Sequence, residues 1–110
     1  MTRKKAALLQ GTLDLLILKT LALEPMHGWG IGKRIGEMSD GVLEIGQGSL
    51  YPALYRLRDK GLVKSKWVVS EEDRRVKVYQ LTRAGKKALD TEQEGFRLFV
   101  SAVGQILDTV

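Results

Sequence analysis

The chain has 110 residues, a formal net charge of +5, 44% hydrophobic and 28% charged residues, no cysteine and a single histidine. That length supports one compact core, and that balance is the composition of an ordinary globular protein rather than a disordered or membrane-embedded one. A disulfide framework and a Cys/His zinc site are excluded, and the apolar stretch Leu13 to Leu23, broken by Asp14, Lys19 and Thr20, is too short for a bilayer span.

The basic start Thr2-Arg3-Lys4-Lys5 imitates the first part of a signal peptide, but the next segment carries charges and lacks a small-residue cleavage site, so a cytoplasmic chain is expected. Charge is unevenly placed. Arg56 to Lys87 holds eleven Lys or Arg against four Asp or Glu, whereas Ala88 onward holds Arg97 against Asp90, Glu92, Glu94 and Asp108. A basic surface beside an acidic tail suits a polyanion docking on one side, the alternative being a merely solvated basic face.

In chain order, Thr12 is a candidate cap for a first helix, with Asp14 in its first turn and Leu13, Leu16, Ile17 and Leu21 at helical spacing. Glu24-Pro25 ends it, because a residue before proline avoids the α region. A second helix is expected from about Gly28 to Met38 with Trp29, Ile31, Ile35 and Met38 apolar. Its glycines at 28, 30, 32 and 36 cost roughly 1 kcal/mol for each interior one, so packing must hold it. A loop follows, and Ser49 is the expected N-cap of a third helix with Pro52 in its first turn and Leu50, Leu54 and Leu57 as the inward stripe. Pro52, Tyr55, Arg56 and Asp59 then face outward, with Tyr51 and Arg58 on a flank, and Gly61 stops the helix.

From Leu62 the pattern becomes β-rich: residues 62–69 and 76–81 flank the charged segment 70–75 and predict a hairpin. Thr82 is expected to cap a final long helix in which Leu89, Phe96, Val103 and Val110 recur every seven residues, with Phe99, Val100, Ile106 and Leu107 between them.

Three helices, a hairpin and a long helix make a mainly α chain with a small β-hairpin, α+β, in the order of a winged helix-turn-helix with an appended helix. The expected division is a winged helix-turn-helix at 1–81 and a C-terminal dimerisation helix at 82–110. Gln47, Ser49, Tyr51, Pro52, Tyr55 and Arg56 are the candidate DNA-contacting residues of the third helix, and Lys64, Arg74, Arg75 and Lys77 those of the hairpin. Arginine reads guanine bidentately; Ser and Tyr more often hold phosphates. For the hairpin the bland alternative is a solvated turn neutralised by Glu71, Glu72 and Asp73.

A continuous apolar stripe of that length cannot be buried on so small a core, so a second copy is the expected acceptor, through Leu13, Ile17, Leu89, Phe96, Phe99, Val100, Val103, Ile106 and Leu107. A helix folded back on its own domain is the alternative. No catalytic or metal-binding constellation is present: His27 has no partner histidine or cysteine and reads as a helix-start or packing residue, and the glycines of 28–32 lack the Lys-Ser/Thr of a phosphate loop. Neither an enzyme nor a cofactor is expected.

Gly11-Thr12-Leu13-Asp14, His27-Gly28-Trp29-Gly30-Ile31, the run from Gln47 to Leu57 containing Gly48-Ser49-Leu50-Tyr51-Pro52, Lys60-Gly61-Leu62 and Tyr79-Gln80-Leu81-Thr82-Arg83-Ala84-Gly85 occur in this order, covering nearly the whole chain. The chain thereby resembles PadR-like regulators, and its short tail resembles their compact subfamily. The resemblance implies a dimeric repressor whose third helix and wing contact double-stranded DNA and whose C-terminal helix pairs two copies. It also makes Trp29, Trp67, Phe96 and Phe99 candidates for lining a small-molecule effector pocket between the first and last helices of the dimer, although such residues are more often simply core. A winged-helix module that meets an acidic partner protein is the competing function. The glycine-rich second helix departs from relatives, which often carry bulkier residues at positions like Gly32 and Gly36.

Overall fold

The structure, a computed structural model, describes residues 11–110; the basic start at Thr2 to Lys5 lies outside the described residues. In chain order it comprises α1 (Thr12–Leu23), β1 (Met26–His27), α2 (Gly28–Met38), α3 (Gln47–Asp59), β2 (Val63–Val69), β3 (Arg75–Leu81) and α4 (Arg83–Leu107). Helices at 12–23, 28–38 and from 83, and the hairpin, fall where the apolar spacing puts them.

Two helix starts differ from expectation. Gly11, in the left-handed region at φ 87°, takes the cap position of α1, and Thr12 is its first helical residue. Likewise α3 begins after Gly46, two residues before Ser49, with no side-chain cap. Pro52 therefore stands inside α3 rather than in its first turn, where it cannot donate to the carbonyl of Gly48; both residues are exposed, so water can serve that carbonyl.

The sheet is three-stranded, in the order β1-β3-β2, rather than a bare hairpin. Met26 pairs with Tyr79 and His27 with Val78, while β2 and β3 run antiparallel from Val63–Leu81 to Val69–Arg75. Two residues are too few to show alternation, which is why β1 leaves no trace in the sequence pattern.

The core is one cluster: Ile17, Leu18 and Leu21 of α1, Ile31 and Ile35 of α2, Leu50, Ala53, Leu54 and Leu57 of α3, Val63, Tyr79 and Leu81 of the sheet, and Leu89 of α4. The stripe expected on α3 is thus its buried face. Gly61 turns the chain out of α3 at φ 75°. Thr82 then ties this corner to α4, its hydroxyl accepting from the Gly85 amide at 3.0 Å and donating to the Gly61 carbonyl at 2.7 Å. The first turns of α4 accordingly belong to the winged core, across the expected boundary at residue 82. Beyond Leu89 the helix leaves that core, with its remaining apolar residues at most half-buried.

This packing corrects two interface assignments. Ile17 is 0% exposed and Leu89 6% exposed within the single chain, so neither side chain is free to meet a second copy. Leu13 is half-buried against the same core. Phe96, Phe99, Val100, Ile106 and Leu107 are exposed and Val103 half-buried, a continuous band on the projecting part of α4.

Candidate nucleic-acid interface

Helical geometry turns Leu50, Ala53, Leu54 and Leu57 inward, which leaves Gly48, Pro52, Tyr55 and Asp59 on the opposite side of α3. Gln47 and Ser49 are exposed in the first turn, and the N-terminal end of the helix, the end favourable to anions, has Gly46 at the cap position and no side-chain capping hydrogen bond. On the flank toward the sheet, Tyr51 and Tyr55 stand one turn apart with ring centroids separated by 6.3 Å, and the Arg58 guanidinium lies 5.0 Å from the Tyr55 ring. On the other flank, Arg56 reaches α1: its Nη2 donates to Asp14 Oδ1 at 3.0 Å. Arg56 was expected as an outward-facing, DNA-contacting residue, and the tether is not visible in local sequence because its partner is 42 residues away.

The hairpin carries a second cationic group. Trp67 is paired across the strands with Lys77, and Arg75, opposite Val69, is on the same face. The Arg75 guanidinium lies 4.9 Å, and the Lys77 ammonium 5.7 Å, from the Trp67 ring, so an exposed indole carries both cations. At its base this face packs on the core through Val63, Tyr79 and Leu81; toward its tip it looks across to α3. The two meet in a groove of about 440 Å³ lined by His27, Gly28, Tyr51, Tyr55, Trp67, Val76, Lys77 and Tyr79. The Tyr79 hydroxyl is held above its ordinary pKa, first by burial and then by the neighbouring phenols of Tyr55 and Tyr51, against a smaller opposing effect of Arg58.

Arg74 sits in the tip turn, where the Ser70 amide donates to the Arg74 carbonyl at 2.7 Å and the Arg74 amide to Ser70 Oγ at 3.2 Å. Lys64 is not part of this group. Its partner is Gln80, so the strand's alternation places it with Lys66 on the face away from Trp67, Arg75 and Lys77.

Within the single chain the four aromatic residues grouped as an effector pocket do not come together. Trp29 stacks on His27 with centroids 5.8 Å apart, under the Lys33 ammonium at 5.1 Å, beside the loop that leads into α3. Trp67 is on the wing. Only Phe96 and Phe99 are near α1. Phe96 lines a groove of about 460 Å³ with Leu15, Leu16, Lys19, Gln93, Arg97, Val100 and Ser101, and both phenylalanines line a neighbouring one with Gly11, Thr12 and Leu15. The grouping came from the resemblance and concerned a dimer, and within the single chain only the two phenylalanines stand beside α1. His27 acts locally: its Nδ1 accepts from the Gly30 amide at 3.1 Å and caps α2. Among the described residues no group of His, Asp or Glu side chains is placed to hold a metal ion, and no helix is long and apolar enough to cross a membrane.

Sequence and structural relatives agree with this architecture. Residues 17–91 match the Transcriptional regulator PadR-like family. A PadR family transcription regulator from Clostridium difficile is 31% identical and superposes with a TM-score of 0.77, over 88% of this chain and 99% of that one. Bacillus subtilis PadR, solved in complex with operator DNA, is 24% identical and shares the fold at a TM-score of 0.67, over 74% of this chain and 46% of its own. An uncharacterised 37.1 kDa protein in a transposon of Streptomyces fradiae is 38% identical over 95 residues, which cover 82% of this chain and 26% of that protein. The chain thus spans about a quarter of the length of that curated relative. With its three core helices, three-stranded wing sheet and long closing helix, the chain belongs to the PadR-like family of transcriptional regulators.

Proposed function

We propose that this chain is a cytoplasmic transcriptional repressor that binds double-stranded DNA as a homodimer on a near-palindromic operator. In this reading α3 enters the major groove with Gln47, Ser49, Pro52, Tyr55 and Arg56 toward the bases and Tyr51 on its flank, while Arg74, Arg75 and Lys77 meet the sugar-phosphate backbone beside it. The observation that carries it is the continuous aromatic and cationic surface running from Tyr55 and Arg58 across the groove to Trp67, Arg75 and Lys77. Phosphate contacts of this kind supply affinity, and side chains on the helix supply selection. Lys64, on the far face of the sheet, contributes to the general basic field rather than to this surface.

The second copy is assigned to α4. A helix of 25 residues is about 37 Å long at 1.5 Å per residue, and its band from Phe96 to Leu107, which meets α1 only along one edge, is largely exposed among the described residues. Pairing two such bands buries them and relates the two α3 helices by a twofold axis. An effector, if this regulator is released by one, is a small aromatic or hydrophobic molecule entering beside Phe96 in the groove between α1 and α4. A competing role as a module for an acidic protein partner predicts weak, sequence-insensitive DNA binding. Competition binding separates the two: a repressor selects its site over bulk DNA by roughly a thousandfold or more, and a flat preference contradicts this reading.

A further inference from the structure

The ion pair between Asp14 and Arg56 joins the first turn of α1 to α3, with 3.0 Å between Oδ1 and Nη2. The carboxylate is the inner partner, its side chain 24% exposed, and the guanidinium the outer one at 55%. Arg56 stands one turn after Pro52, at the edge of the outward side of α3. A guanidinium carries five N–H donors in a rigid plane, and the pair with Asp14 engages one of them. The others remain available to whatever docks on α3.

We infer that Asp14 is a positioning residue for sequence readout: it fixes the plane of the Arg56 guanidinium so that its free donors meet the acceptor edge of a guanine in the major groove. The inference rests on the reading of α3 as the major-groove helix. An untethered arginine loses rotamer freedom on docking and settles on the nearest phosphate as readily as on a base edge. Tethering before docking moves the ordering cost into folding, which favours the contact that needs a defined plane. The carboxylate also repels phosphates, which discourages use of Arg56 in sequence-independent binding. Both effects raise the preference for operator over bulk DNA.

The test measures binding of wild type, Asp14→Asn, Arg56→Ala and the double variant to a selected operator and to a random duplex over a range of salt, with unfolding midpoints alongside. Asp14→Asn is expected to weaken operator binding about five- to tenfold, a fraction of one bidentate base contact. Random-duplex binding stays level or strengthens, with a salt slope steeper by up to about one. Base preference relaxes at the operator position that Arg56→Ala also relaxes, and in the Arg56→Ala background the Asp14 substitution changes base preference no further. A parallel fall in both affinities with a lower unfolding midpoint would make the pair a structural brace and overturn the inference, as would a parallel rise. Retained wild-type selectivity with an unaltered Asp14→Asn profile overturns this inference alone; absence of any wild-type selectivity overturns the parent reading as well.

Discussion

A β-carbon on Gly28 would lie 2.7 Å from the ring and hydroxyl of Tyr51, so α3 approaches the start of α2 through the space of a missing side chain. Gly28→Ala must displace the Tyr51 ring, and with it the pairing to Tyr55. We expect a stability loss of about 1–2 kcal/mol, as for other overpacked sites, despite alanine's better helix propensity. Urea unfolding measures it; an unchanged midpoint would show that the ring moves aside without cost.

Thr82 is a doubly used hydroxyl at the junction of α3, β3 and α4. Thr82→Ala removes the cap of α4 and leaves the Gly61 carbonyl without this donor. The expected cost is about 1–2 kcal/mol. Thr82→Ser keeps the hydroxyl and should recover most of it in the same unfolding assay.

Alkaline pH should weaken the fold through Tyr79. Its folded-state pKa is raised, chiefly by burial, above the ordinary value of 10.0. The unfolded chain therefore loses this proton first, and stability is complete below that value and falls as pH rises toward the folded one. Tyr79→Phe should flatten the decline of the unfolding midpoint above about pH 10. An identical alkaline slope in the variant would assign the decline to other groups.

Trp67→Ala removes the ring that carries Arg75 and Lys77 but no charge. DNA affinity should fall about two- to fivefold, the scale of exposed cation–π contacts, and equally for operator and random duplexes. A change in base preference would instead make Trp67 a reader.

Phe99→Asp places a charge in the exposed band of α4. Sedimentation at micromolar concentration should shift from the two-chain to the one-chain mass, and operator binding should be lost where wild type saturates. A two-chain mass in the variant would move the interface elsewhere.

How legible these features were in sequence depended on range. The hairpin and α4 could be read because apolar spacing changes at Leu62 and again at Thr82, and Thr82 is itself the cap that its position suggested. Thr12 and Ser49 misled because backbone glycines, Gly11 and Gly46, occupy the cap positions that hydroxyl residues usually favour. Ile17 and Leu89 lie on the same stripes as exposed residues, and only the packing of α1 and the first turns of α4 into one core distinguishes them. The Asp14–Arg56 pair, the Tyr51 seat on Gly28 and the separation of Trp29 and Trp67 from Phe96 are contacts between elements, to which a local pattern is blind. Lys64 could have been set apart by counting alternation from Trp67.

Selection of bound sequences from random duplexes tests the central claim most directly. Two copies joined through α4 should enrich an inverted repeat whose half-sites are centred about 34 Å apart, or a close multiple of it. Enrichment of a single unrepeated site, or of no sequence at all, would contradict the paired presentation of α3 on DNA.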